Sequence, residues 1–589
     1  MRARMAAAVA AAATVLALSG CGGLTTYGPV QSGREVGSGE APQVTVVFPG
    51  PQQGSTQEGI VRGFLRAGAA SDGAYDNARK FLTTAASERW NPDETIVLLA
   101  SDESPTVRQV DPATVAVTAA AAGTVDATGR FTAADPGSTV TATFSLTPVN
   151  GQWRIDALPK GFGRWIAAGD VARLVQPFAI HYVSLSRRAM VPDVRWFPLD
   201  RLAPRLAKAQ LDPVPDYLAG AAVSAVPARA RLLGDAVSVK DSVASVNLIS
   251  SQLAPGQATR QNLWAQFVTT LTQVPDVSAV LLAIDGLPVD LDGIEGPVAS
   301  LAQVGFPAPA PDTSTAKPVV RRGADVTVFD PGVNAQEQGR QTQAPATTYP
   351  AVPATFTHLA LSADGSELAA IDPDGDGISR WRGDNRYEVP GFGRDVGAPA
   401  YDRRGFLWAG GVGRGSDRLF VVDVRADPAD PRAAAATPVA ADWLAGRRVL
   451  EARVASDGDR VAVLSTRADG RDVRVDLAGI SRGEGGRPQR LSAPLRLGVV
   501  FSSAQDLVWL DDETLATVAS VGGAPVRPTI LTVGGELRAL AEVPGAIRVG
   551  TTGGERNLYV VTSQGRLLSR VGTRWVDSGP ANDLAAPAG

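Results

Sequence analysis

Catalytic raw material is scarce in this chain. Its 589 residues include two histidines, His181 and His358, and a single cysteine, Cys21. One cysteine makes neither an internal disulfide nor a cysteine zinc site, and two histidines cannot build a His-rich metal centre. A Ser-His-Asp triad would have to recruit one of those histidines, and no GxSxG elbow offers the serine. Lysine is nearly as rare, at Lys80, Lys160, Lys208, Lys240 and Lys317. None follows a glycine, so the phosphate-cradling P-loop is absent. Charge of one sign is lacking too, since 56 basic residues against 60 acidic ones leave −4. Nucleic-acid binders concentrate positive charge to displace counterions, and that class is excluded. The expectation is a protein that is not an enzyme and takes no cofactor and no metal.

Glycine and proline are plentiful, at 62 and 42, beside 44% apolar residues. That composition suits a turn-rich, β-rich protein and is too apolar for disorder. The length implies several domains. The amino terminus carries the most specific pattern. Arg2 and Arg4 precede a stretch of mostly Ala, Val and Leu over residues 5–18. As a helix it would rise about 21 Å, short of a hydrocarbon core of about 30 Å, so it reads as the apolar region of a signal peptide. It ends in Leu18-Ser19-Gly20-Cys21, which resembles the bacterial lipobox. Cleavage is expected after Gly20. Cys21 then takes a diacylglyceryl group on sulfur and an acyl group on its new amino terminus. An ordinary signal peptide with an incidental cysteine is the alternative. Residues 22–43 are rich in Gly, Ser and Pro without apolar periodicity, a tether of at most about 75 Å. Two or more acyl chains hold stably where one does not. The body is therefore expected on the outer face of the cytoplasmic membrane, behind a signal peptide (1–20) and a lipidated tether (21–43).

Three bodies follow. In residues 44–197, Ser55 and Glu58 have the spacing of a capping box, and Ile60, Val61, Phe64 and Leu65 recur at helical intervals. A short helix turning Phe81 and Leu82 inward comes next, then alternating strands at 95–99, 114–119, 139–146 and 152–158. The pattern resembles an NTF2-like cone. Asp102 and Asp111 sit beside Pro, Ser or Glu and read as turn formers. In residues 198–305, two short helices and strands at 236–240 and 243–248 precede an amphipathic helix over 258–273. Its core residues are Leu263, Phe267, Val268 and Leu271, with Trp264 beside them. A strand at 278–284 runs into the tight turn Asp285-Gly286. The run from Thr270-Leu271-Thr272-Gln273-Val274-Pro275 through Val280 to Gly286 resembles the GerMN module of spore-germination and envelope lipoproteins.

A Pro-rich linker (306–318) leads to residues 319–580. There the unit Leu361-Ser362-Ala363-Asp364-Gly365, followed by an apolar strand, recurs in similar form near 401, 455, 509 and 554. A spacing of about 40–55 residues is that of one four-stranded blade. With the Trp-bearing close Arg574-Trp575, this resembles a β-propeller of about five or six blades. Residues 581–589 read as a tail. The long loops 341–356 and 426–442 are either contact surfaces or filler. Asp372, Asp374, Asp376 and Gly377 match half of an EF-hand loop, but its twelfth position is Gly383 where a bidentate Glu belongs. An Asp/Gly turn is favoured there over weak calcium binding. The fold class is thus multidomain, two α+β domains (NTF2-like cone, then GerMN-like) followed by an all-β propeller.

The three bodies in this order behind a lipobox resemble the LpqB lipoproteins of actinobacteria. Leu18 to Cys21, Val191-Pro192-Asp193-Val194-Arg195-Trp196 and the Thr270 to Gly286 segment carry the resemblance. It implies an accessory protein of the MtrA–MtrB two-component system that meets the extracytoplasmic domain of the sensor histidine kinase, affecting cell-wall homeostasis and division. Only Cys21 carries over as a site, with no catalytic residue. The alternatives are a cell-wall glycan-binding or glycan-hydrolysing lipoprotein, which needs only a suitably separated carboxylate pair, and a purely structural envelope protein.

Overall fold

The computed structural model describes residues 49–587 except 70–74, 186–188, Ala236, 251–255, Glu295, 308–316, 331–348 and Arg414. The first body opens with the helix Gln57–Ala69, whose Ile60, Val61 and Phe64 are buried as their spacing predicts. Its cap lies one residue later than expected. The Thr56 hydroxyl, not that of Ser55, accepts the Gly59 backbone N–H at 3.1 Å. Glu58, in place of closing a capping box, accepts the Gln109 backbone N–H at 3.0 Å. A tertiary partner has outcompeted the local one. The helix covers a sheet ordered Gln152–Ala157, Thr139–Val149, Thr114–Asp126, Thr95–Leu99 and Arg164–Ile166. Only the last pair is parallel. Phe64 meets Trp90 and Phe144 edge-on, with ring centres 5.0 and 6.1 Å apart, at the centre of this core.

The hairpin Val175–Ser184 with Met190–Pro198 falls within residues 44–197, yet it belongs to two cores. Val175 and Trp196 pack on Ile96, Leu98 and Ile166 of the first sheet. Ile180, Tyr182, Val191 and Val194 join the core of the second body. The strand Met190–Pro198 is buried along nearly all of its length on both faces. Alternation, the sign of a half-buried strand, is therefore missing from it.

In the second body the strands Val243–Ile249 and Ala279–Ile284 run parallel, joined by the helix Gln257–Leu271. A parallel pair needs such a crossover. Asp285 and Gly286 both have positive φ, 51° and 78°, as a two-residue hairpin turn of this type requires. Trp264 is buried, and its indole N–H donates to the Val289 carbonyl at 2.9 Å. Gln266 and Thr270, on the side of the helix that reads as polar, are buried as well. They bond the hairpin and Gln210: Gln266 donates to the His181 carbonyl at 3.2 Å and Thr270 to Gln210 at 2.7 Å. Buried polar groups persist where partners satisfy them.

Among the described residues six sheets form the propeller. Five are sequential blades, over Thr357–Glu388, Ala400–Pro438, Arg447–Leu491, Ser503–Ala539 and Ala546–Pro580. The sixth joins Val319–Arg322 and Asp325–Val328 to Asp583–Ala585, which pairs antiparallel with Val319–Arg321. We count that closing sheet as blade one. Residues 583–585 are therefore no tail. They are the innermost strand of blade one and close the ring, flanked by the inner strands Thr357–Leu361 and Ala546–Thr551. Three residues carry no periodicity from which such a strand could be read. The recurring turns do lie between first and second strands: Gly365, Gly405 and Gly458 all have positive φ there, where glycine is unstrained.

Candidate functional site

The bodies are welded by buried polar groups as well as apolar contact. Asp193, fully buried, pairs with Arg195 at 2.8 Å and with Arg130 of the first body at 2.5 Å, and it accepts the Tyr217 hydroxyl at 2.8 Å. The Val191 to Trp196 motif is thus a junction. Trp196 donates its indole N–H to the Gly534 carbonyl of the propeller at 2.9 Å. Ser184 donates to Asp459 at 2.5 Å, and Ser492 to the Tyr217 carbonyl at 2.6 Å. Arg460 has no exposed surface. It pairs with Asp457 at 2.6 Å, donates to the Asp512 carbonyl at 2.7 Å and reaches the Pro192 carbonyl of the hairpin at 3.4 Å. One apolar cluster runs from Ala179 to Phe306 and on through Ala455 to Val533. The second body and blades four and five share a core.

These burials displace titrations. Burial pushes Asp459 up to about 6, with Asp457 adding to the effect. Burial, then the Arg460 charge, pushes His181 down to about 3. His181 stays neutral near pH 7 and acts as a packing residue against Thr270.

Beside the weld lies a cleft of about 1030 Å³. His181, Met190 and Phe306 line it from the second body. Arg403, Arg404 and Arg425 face it from blade three, and Asp457, Asp512 and Glu513 from blades four and five. Most of these charges are committed. Arg425 chelates Asp423 with two contacts of 2.8 Å, and Arg404 donates to Asp459 at 3.1 Å. Asp457 is held by Arg460, and Asp512 accepts the Ser456 hydroxyl. Burial raises the Glu513 carboxyl. The cleft presents acids, but two of the three already serve the fold.

A second polar assembly occupies the propeller axis. Glu451 and Arg453 come from the inner strand of blade four, Asp506 from blade five, Arg548 from blade six, and Asp583 and Arg321 from blade one. Asp506 accepts the Val549 backbone N–H at 2.7 Å, and Asp583 accepts that of Leu359 at 2.9 Å, so each carboxylate ties its blade to the next. His358 adjoins them from blade two at φ 58°, pushed down to about 4 by burial and then by Arg548. Nothing in a linear reading marks these residues; Glu451, Asp506, Arg548 and His358 each lie at a register shift of an inner strand.

The remaining sequence expectations are dispersed. Gly20 and Cys21 lie outside the described residues, as do 331–348 and most of the Pro-rich linker. Asp111 accepts the Ala113 N–H and Asp102 the Gly169 N–H, both backbone-fixing roles. Asp374 and Asp376 accept the N–H groups of Asp376 and Asp395, while Asp372 accepts the Ser379 hydroxyl, so the three carboxylates have separate turn duties. In the loop 426–442, Asp427 and Asp430 make similar turns. Among the described residues no helix is long and apolar enough to cross a membrane.

Residues 50–171 match the lipoprotein LpqB N-terminal domain, and 332–588 the lipoprotein LpqB beta-propeller domain. Residues 180–290 match the sporulation and spore germination module. Lipoprotein LpqB of Thermobifida fusca is 27% identical over 594 residues, covering 90% of each chain. That of Rhodococcus opacus is 24% identical, covering 89% of this chain and 87% of its own. A shorter match to lipoprotein LpqB of Streptomyces coelicolor is 33% identical over a quarter of each chain. Two LpqB domain models flanking a germination module, with LpqB relatives aligned along nine-tenths of their length, settle the matter: the chain belongs to the LpqB lipoprotein family.

Proposed function

We propose that this chain is a non-enzymatic accessory protein, lipid-anchored through Cys21 on the outer face of the cytoplasmic membrane. In this reading it binds the extracytoplasmic domain of a sensor histidine kinase of the MtrA–MtrB type and shifts the balance between the kinase's signalling states, affecting cell-wall homeostasis and division. The observation that carries it is the welding of the second body to the propeller through one core. A rigid arm on a tether delivers a fixed surface to a membrane partner. Confinement near the membrane raises effective concentration, so a weak interface is well occupied. A shift in signalling further requires unequal affinity for the two kinase states.

The test is crosslinking of the full lipidated chain in membranes, with mass spectrometry and a Cys21→Ala control. Crosslinks to a sensor-kinase ectodomain that vanish in the control are expected. Crosslinks confined to peptidoglycan fragments would overturn the reading. They would favour a cell-wall glycan-binding or glycan-hydrolysing role, which draws on the cleft and on Glu513, whose raised carboxyl suits an acid. Against that role, a glycosidase needs a second free carboxylate, and Asp457 is held by Arg460.

A further inference from the structure

The inner strands of blades four and five each carry a register shift, between Val449 and Glu451 and between Gln505 and Leu507. Asp506 sits in its bulge at φ 58°. Such bulges re-aim side chains at some backbone cost, and here they bring two carboxyls together across the boundary between blades. Both are almost fully buried, with side chains 1% and 2% exposed. Arg453 lies 2.5 Å from Glu451 Oε1, and Arg548 lies 3.5 Å from Asp506 Oδ2. The other two oxygens, Glu451 Oε2 and Asp506 Oδ1, are buried and accept no hydrogen bond. Two carboxylates cannot satisfy each other, since neither has a donor. One proton between them satisfies both. We infer that Glu451 and Asp506 share a single proton at the propeller axis, and that its loss loosens the contact between blades four and five.

The surroundings support this from every side. Burial pushes Glu451 up to about 8, and the Asp506 charge and hydrogen bond act in the same direction, opposed by Arg453 and Arg548. Arg453 also lies 3.8 Å from Asp506 Oδ1. Asp583 is neutralised by Arg548 at 3.3 Å and Arg321 at 3.4 Å, and His358 is uncharged at these pH values. Blade three brings Ala398, bridged to Glu451, which offers no charge to the pair. At the axis Arg453 is thus divided between Glu451 and Asp506, and Arg548 between Asp506 and Asp583.

Between the ordinary glutamate range and about 8 the folded chain binds a proton that the unfolded chain has released, so stability falls as pH rises. The test is urea unfolding of the full chain between about pH 6.5 and 9. The folding constant of the native protein should drop by up to about tenfold per pH unit below 8. In Glu451→Gln the amide donates permanently to Asp506. That variant should lose the slope and become the more stable form at the alkaline end. A native protein without the slope, or a variant that keeps it, overturns the inference. Should the variant not fold, the infrared carbonyl stretch of a protonated carboxyl serves in the native chain. It should be present at neutral pH and titrate away with a midpoint near 8. Its absence at neutral pH would equally overturn the shared proton.

Discussion

Removing residues 581–589 takes away the strand Asp583–Ala585 and reopens the ring it closes. The structure lets the cost be worked piece by piece. Leu584 is 3% exposed among Val320, Phe329, Tyr559 and Val561, and losing a buried leucine costs about 2–5 kcal/mol. Asp583 neutralises Arg321 and Arg548, both buried. Breaking such a pair from one side costs about 3–5 kcal/mol, because the remaining charge stays buried. The Leu359 N–H also loses its acceptor. The combined loss, about 6–10 kcal/mol, rivals the whole stability of a typical domain. The truncated chain should therefore have a largely unfolded propeller, which tryptophan fluorescence in a urea titration and limited proteolysis would both register. Asp583→Asn, which keeps the shape and loses the charge, should cost roughly half as much. If truncation shifts stability by less than about 1 kcal/mol, the strand does not close the ring and the reasoning fails.

Two further outcomes concern the weld between bodies. Trp196→Phe keeps the aromatic packing but strips the N–H that reaches the Gly534 carbonyl. A cost of about 1–2 kcal/mol, and faster amide exchange along the hairpin, are expected. Ser184→Ala removes a donor that holds the Asp459 pKa down. Asp459, already raised to about 6, should climb further in the variant. A raised carboxyl makes the folded state the better proton binder, so the variant should lose more stability than the native chain as pH rises from about 4 to 7. Unfolding midpoints across that range would check it, and parallel pH profiles would contradict it.

Much of the architecture was legible because its signals are local. Ile60 and Phe64, or Leu263 and Phe267, repeat at the helical period whatever surrounds them. The glycines at 365, 405 and 458 mark turns that only glycine adopts without strain. The unread parts depend on partners far along the chain. Glu58 left its own cap for Gln109. Met190–Pro198 lacks alternation because two cores flank it. Asp583–Ala585 is a strand only because Val319–Arg322 waits for it. Glu451 and Asp506 look like surface residues of edge strands until bulges turn them to the axis. Conversely, the proposed anchor at Cys21 is readable only as sequence.

The strand that closes the propeller also sets a timetable. Asp583 meets Arg321 across a separation of 262 residues, so blade one stays incomplete until nearly the whole propeller has been synthesised. Contacts that distant in sequence form late, after the entropy of a large loop has been overcome. Until then the first and last blades expose unpaired strand edges, the kind of surface on which chains misassemble. The second body waits as well, since its core is completed by residues up to Val533. A chain released early would present an open ring to every protease in reach, so the closing strand acts as a checkpoint on completeness.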